Sequence, residues 1–328
     1  MQLKDLDAFE LPWPTGTGED DPMARIGLRV ELIFRDGYDA TARRGALMTI
    51  IDQYIDFAAD RLKLYQRSGD RRPRKITAGE PLDLSPLRTA AARDNSDFSL
   101  FLSGEAEVGK ASHWSLATVA SHNGYLLMHF PLQAFEGAAP NSFRTLFQKW
   151  CSELATEQAY AGLGLVLPTG GMVMDEAIGH CGPIVTRFSG LDVDLPDSTA
   201  RSCKDGIRCV AWLTAINSKW LQRAGGADAV LRVAGPTVTS LPYNGGTIFV
   251  AGQAPDAGDR ERGRVPSANL ALGRALAPIR SPYKEPLFKV PPGYKPPPAF
   301  NAGDVGRRVE PEELPALHYT QQWMSRFG

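Results

Sequence analysis

The chain has 328 residues, 43% of them hydrophobic, enough to bury a full core in one large domain or in two lobes. Its 36 Lys and Arg against 37 Asp and Glu leave a net charge of -1, which excludes a general nucleic-acid or membrane-surface binder, so a charge-driven partner must meet a local patch. No apolar run approaches the ~18 residues of a membrane helix, and Cys151, Cys181, Cys203 and Cys209 are too sparse for a secreted disulfide scaffold.

Residues 1–24 hold Pro12, Pro14, Pro22, Gly16, Gly18 and the acidic triplet Glu19, Asp20, Asp21, which favours an irregular arm. This acidic start also lacks the basic and apolar regions of a secretory signal, so a cytoplasmic protein is expected. A first strand follows, with Ile26, Leu28, Val30, Leu32 and Phe34 on one face, and Asp36-Gly37 is expected to turn the chain. From Thr41 to Tyr65 the apolar residues Leu47, Ile50, Ile51, Tyr54, Ala58 and Leu62 recur at helical spacing. The basic run after it contains Arg71, Arg72 and Arg74; it reads first as a solvated loop, and secondly as a contact for an acidic partner or phosphates.

Strands are expected at Phe98–Ser103, Trp114–Val119 and Tyr125–Phe130, the last two joined by a hairpin at Asn123-Gly124, and a second long helix over Ser142–Ala161. Gly104 to Ala111 nearly spells a phosphate-binding loop, but Ala111 stands where a magnesium-binding Ser or Thr is required, so a hairpin loop is expected. Residues 163–187 look less regular.

Between Gly190 and Gly226 lie an acidic loop with Asp192, Asp194 and Asp197, a segment from Gly206 to Ala215 that reads as a strand covered on both faces, and a short helix capped by Asn217 and closed by Gly225-Gly226. Strands near Val230, Val238 and Ile248 follow, with a hairpin at residues 243–246, then a helix at Ser267–Ala277. Both halves thus read strand, helix, three strands, helix. The expected fold is α+β, two similar lobes at about 25–165 and 166–280, each a mainly antiparallel sheet with helices on one face. Seven prolines between Ser281 and Phe300 make an extended strap that returns Trp323 and Phe327 to the core.

Site signatures are weak. No CxxC, HxxxH or HExxH spacing supports zinc, the least implausible ligands being His180 and Cys181, and no GxSxG elbow supports a serine nucleophile. A calcium loop counted from Asp192 would need glycine sixth and glutamate twelfth, where Asp197 and Cys203 stand. No cofactor and no metal are expected.

The segment GIRCVAWLT before a helix ending in Gly-Gly, with RIGLRVELIFRDGY, LPYNGGTIFVAGQAP, ALAPIRSP and the final WMSRFG, resembles the TsiV-like family of type VI secretion immunity proteins, whose members usually end in WxxRFD. The resemblance implies a protein that binds a cognate antibacterial effector, a nuclease in the namesake members, and neutralises it by occlusion without chemistry of its own. A blocker needs a rigid scaffold and roughly 800 Å² of matched surface per partner. Asp192, Asp194 and Asp197 read first as a plain solvated turn and secondly as contacts with an electropositive nuclease site, with Arg71, Arg72 and Arg74 as further candidates. No direct nucleic-acid or membrane contact is expected, and a homo-oligomer is left open. The alternatives are an enzyme built on His180, Asp192 or Asp194 and a metabolite-binding protein.

Overall fold

The computed structural model describes residues 6, 9–14, 22–35, 40–77, 79–93, 96–135, 142–168, 171–298, 300 and 309–328. The expected Asp36-Gly37 turn and most of the N-terminal arm lie outside these residues. The strands are β1 (Glu10–Pro12), β2 (Pro22–Arg35), β3 (Leu64–Arg67), β4 (Arg74–Lys75), β5 (Phe98–Ser103), β6 (Ser115–Ala120), β7 (Asn123–Phe130), β8 (Gln158–Val166), β9 (Leu213–Asn217), β10 (Val238–Tyr243) and β11 (Gly246–Ala251). They form one sheet in the order β10-β11-β9-β8-β2-β7-β6-β5-β3-β4, with β1 on β2, every strand pairing antiparallel.

The expected α+β class holds, but the halves of the chain do not build separate sheets. β2 pairs with β8 from Arg25↔Val166 to Ile33↔Gln158, so the halves are joined at the centre of one continuous sheet. β8 was not anticipated. The helix expected over Ser142–Ala161 ends at Leu154, and β8 follows within four residues, using Ala, Gly and Leu where a strand normally shows β-branched side chains.

One face of the sheet is apolar at its centre. Leu28, Val30, Leu32 and Phe34 of β2 stand in register with Phe130, Met128 and Leu126 of β7 and with Leu163, Ala161 and Ala159 of β8. The helices Ala40–Ala58 and Ser142–Leu154 pack against each other and contribute to this core, one supplying Leu47, Ile50, Ile51 and Tyr54 and the other Phe143, Phe147, Trp150 and Leu154. The first is shorter than its periodicity predicts, because Ala59–Arg61 tightens into a 3₁₀ turn and the basic run becomes the β3-β4 hairpin.

On the opposite face a second core forms from Ile216, Phe249, Trp220, Val230, Leu272, Leu276 and Phe327, beneath the helices Ser218–Arg223, Ala227–Ala234 and Ser267–Leu276. Val230 thus belongs to an amphipathic helix, not to a strand. The 243–246 hairpin and the capped helix are as expected, with Asn217 Oδ1 accepting from Trp220 N at 3.0 Å. Asn217→Ala is expected to cost about 1 kcal/mol in urea denaturation, the usual loss of such a cap.

Of the anticipated Gly206–Ala215 strand only Leu213–Ala215 is in the sheet, as the start of β9, which runs on to Asn217. Ahead of it Ile207 bridges in parallel to Arg280, and beyond that point side chains take up main-chain N–H groups. Arg208 N donates to Gln158 Oε1 at 3.1 Å and to Tyr160 OH at 2.9 Å, and Ala211 N donates to Thr214 Oγ1. The proline-rich segment buries Tyr283, Leu287 and Phe288, with Phe288 meeting Trp323 edge-on at 5.3 Å, and the terminal helix Leu314–Met324 carries Trp323 and Phe327 into the interior.

Candidate functional site

Arg29 and Glu31 sit two residues apart on β2 and so share the face opposite the two long helices. Their neighbours on β8 in register are Gly162 and Tyr160. The segment 190–194 crosses beside β8, with Leu165 N donating to Asp192 O and Asp192 N to Leu163 O, and this places Asp192 and Asp194 over the same face. A Cβ at Gly164 would lie 2.8 Å from both Arg29 Cβ and the Asp192 main-chain oxygen, so glycine there permits the crossing.

The result is a buried ionic cluster of two guanidiniums and three carboxylates. Arg29 Nη1 donates to Glu31 Oε2 and, at 2.9 Å, to Asp192 Oδ2. Arg208 grips Asp192 with two parallel hydrogen bonds of 2.8 Å, reaches Glu31 Oε2 at 3.1 Å, and lies over the Tyr160 ring at 4.6 Å. Asp194 stands further from it, 3.5 Å from Arg208 Nε, and accepts instead from Thr199 Oγ1 and, at 2.6 Å, from Tyr283 OH. All five charged residues are at most 4% exposed.

Charge balance sets how these groups titrate. Three carboxylates lie buried beside Arg29 and Arg208, with the charge of Arg326 also reaching Asp192, so ionising all three is costly. Burial alone would raise the Asp192 carboxyl, but the charge and hydrogen bonds of Arg208, aided by Arg29, hold it well below the usual carboxylate range. Burial pushes Asp194 up to about 7; Arg208 draws it down and Glu31 pushes it further up. Asp194 is therefore the group that keeps a proton in mildly acidic solution.

Asp192 and Asp194 are thus not the surface loop that the acidic run suggested. A surface reading ignores Arg29 and Glu31, 163 and 177 positions away from their respective partners Asp192 and Arg208. Asp197 does reach the surface. It lies on the helix Pro196–Ser202, which covers β2 and β7, and pairs with Arg201, its side chain 48% exposed. Asp175 on the helix Gly171–Gly179 lies close enough to feel it, since burial and the charge of Asp197 both raise the Asp175 carboxyl. Sequence reasoning missed Asp175; only the fold brings it beside Asp197.

The basic candidates occupy the far end of the sheet. Arg71, Arg72 and Arg74 are exposed at the β3-β4 hairpin, Arg74 pairing with Asp70, while Arg71 and Arg72 have no ion pair among the described residues. Gly104–Ala111 is the loop between paired strands β5 and β6, as expected. His180 accepts from or faces the Lys289 ammonium at 2.7 Å, and burial together with that cation lowers its pKa. Among the described residues no group of three or more His, Cys, Asp and Glu is placed to hold a metal ion, and no helix is long and apolar enough to cross a membrane.

A family model described as type VI immunity for VRR-NUC, TsiV, matches residues 49–295. Among solved structures the chain is similar to the Pseudomonas aeruginosa T6SS protein PA0821, at 24% identity and a TM-score of 0.74, covering 96% of this chain and 92% of that one. At that identity the likeness concerns the fold. No curated protein matches.

Proposed function

The chain belongs to the TsiV family of type VI immunity proteins, and from that premise we propose that it neutralises a cognate VRR-NUC effector by binding and covering its nuclease site, with no chemistry of its own. The observation that carries this reading is the family match over most of the chain. The fate of the potential acid-base groups supports it. Glu31, Asp192, Asp194 and His129 are each at most 4% exposed, and the three carboxylates are tied to Arg29 and Arg208, so a substrate has no approach to them. Buried ionic contacts of this kind fix the relative position of the elements they join.

A protein that blocks by occlusion protects only when it matches its target one to one. Titrating the protein into a nuclease assay of the purified effector is expected to give a break at one equivalent. Full protection at a small fraction of an equivalent would overturn the blocking mechanism in favour of an enzyme.

We place the effector contact over Asp175 and Asp197, because a nuclease must present positive charge to hold a phosphate backbone and opposite charge speeds encounter. The double substitution Asp175→Asn, Asp197→Asn is expected to slow association several-fold at low ionic strength, with the difference shrinking as salt screens it. Association kinetics by surface plasmon resonance checks this, and an unchanged rate with unchanged salt dependence would refute the placement. The same assay on Arg71→Ala, Arg72→Ala, Arg74→Ala tests the basic hairpin as a second contact.

A further inference from the structure

The chain ends in Trp323-Met324-Ser325-Arg326-Phe327-Gly328, and the blocking mechanism makes no use of the arginine. Its guanidinium lies over the Trp323 ring at 3.8 Å and the Phe327 ring at 4.6 Å. Its hydrogen bonds run to main-chain oxygens: Nε to Ser189 O at 2.7 Å, Nη1 to Trp323 O at 3.1 Å and Nη2 to Leu191 O at 3.4 Å. Among the described residues no carboxylate is within ion-pair distance of it. Burial pulls its pKa down to about 10, which leaves it cationic at neutral pH.

Arg326 forms part of the wall of a cavity of about 90 Å³, together with Thr186, Arg260, Tyr319, Gln322 and Trp323. Each polar side chain there carries a hydrogen-bond donor, and no Asp or Glu lines the space. Thr186 Oγ1 and Tyr319 OH are 3.0 Å apart, and Gln322 uses its oxygen to accept from Tyr294, which leaves its amide N–H groups for another partner. The Trp323 indole N–H is buried with no acceptor, in a residue only 5% exposed. Arg260 is the second cation. Its neighbours Arg187, Arg262 and Arg264 pair with Asp259, Glu261 and Asp256, whereas Arg260 has no partner among the described residues.

We propose that this cavity binds one small oxyanion, a phosphate or a carboxylate group, between Arg260 and Arg326. Two guanidiniums on a wall that carries no carboxylate can supply charge-assisted hydrogen bonds to such a group. Hydroxyl and amide donors complete its coordination. The volume is well below the several hundred Å³ of a cofactor-sized pocket, so the site takes a single anionic group, free or projecting from a larger molecule.

The test requires no effector and so stands or falls separately from the immunity reading. Inorganic phosphate and acetate are titrated calorimetrically into the full chain at constant ionic strength, with chloride as background. At least one of them is expected to bind, and Arg260→Ala is expected to weaken it about tenfold with an unchanged Tm in chloride, while Arg232→Ala, at an exposed position of the helix Ala227–Ala234, leaves it unaltered. Phosphate binding alone identifies a phosphate group as the ligand; acetate binding alone identifies a carboxylate. If neither binds more tightly than chloride, or if Arg260→Ala binds as the parent does, the site is not an oxyanion site.

Discussion

Arg208→Ala is expected to lower the unfolding free energy by about 3–5 kcal/mol, the usual cost of removing one partner from a buried ion pair. The substitution takes away both hydrogen bonds to Asp192, the contact to Glu31 and the cation nearest Asp194. The buried carboxyls then keep only Arg29 in direct contact, with the more distant Arg326 still acting on Asp192. Guanidinium denaturation measures the effect. Arg208→Met, which keeps volume but not charge, separates electrostatics from packing, and adding Asp192→Asn to it is expected to recover part of the loss. A loss below about 1 kcal/mol for both single variants would show that the cluster is not a stabilising centre.

The second expectation concerns pH. Asp194 has a folded-state pKa raised to about 7 from an unfolded value near 4, so between those values the folded state holds a proton that the unfolded state has released. Stability from this group is therefore full below about pH 4, declines as pH rises, and levels off above about pH 7. The linked change is on the order of 3 kcal/mol. The buried His129 works in the opposite sense, because burial lowers its pKa and its contribution is lost as pH falls below the unfolded histidine range. Asp194→Asn isolates the carboxyl: the stability difference between variant and parent is expected to change by that amount from pH 4.5 to 8, in favour of the variant at high pH. A difference independent of pH would refute the raised pKa of Asp194.

Much of the architecture was legible from periodicity alone. β2, the hairpin strands β6-β7 and β10-β11, the cap at Asn217 and the terminal return of Trp323 all follow from local patterns that the tertiary fold leaves intact. β8 was hidden because its composition answers to its neighbours. A Cβ at Gly162 would approach Trp212 to 3.2 Å, and Gly164 makes room for Arg29, so the strand at the sheet's centre carries small residues that look like a loop. The buried cluster was hidden for a related reason. Charged residues normally signal solvent, and nothing local distinguishes Arg29 and Glu31 on a strand, or Asp192 and Asp194 in a loop, from an exposed set until the segments are superposed. Asp197, the one member of the acidic run that reaches the surface, does so from a largely buried helix, where it pairs with the exposed Arg201.

The same cluster has a consequence for how the chain is made. Its members span Arg29 to Arg208 and its hydrogen-bond partners reach Tyr283, and β2 cannot complete its pairing until β8 exists. Folding therefore waits on contacts of very long sequence separation, which makes it slow, and a nascent chain that stops short of Tyr283 leaves Asp194 without one of its hydrogen-bond donors and the sheet's central charges incompletely enclosed. Stable structure is thus deferred until synthesis has passed Tyr283, and a chain halted before it exposes an unfinished sheet.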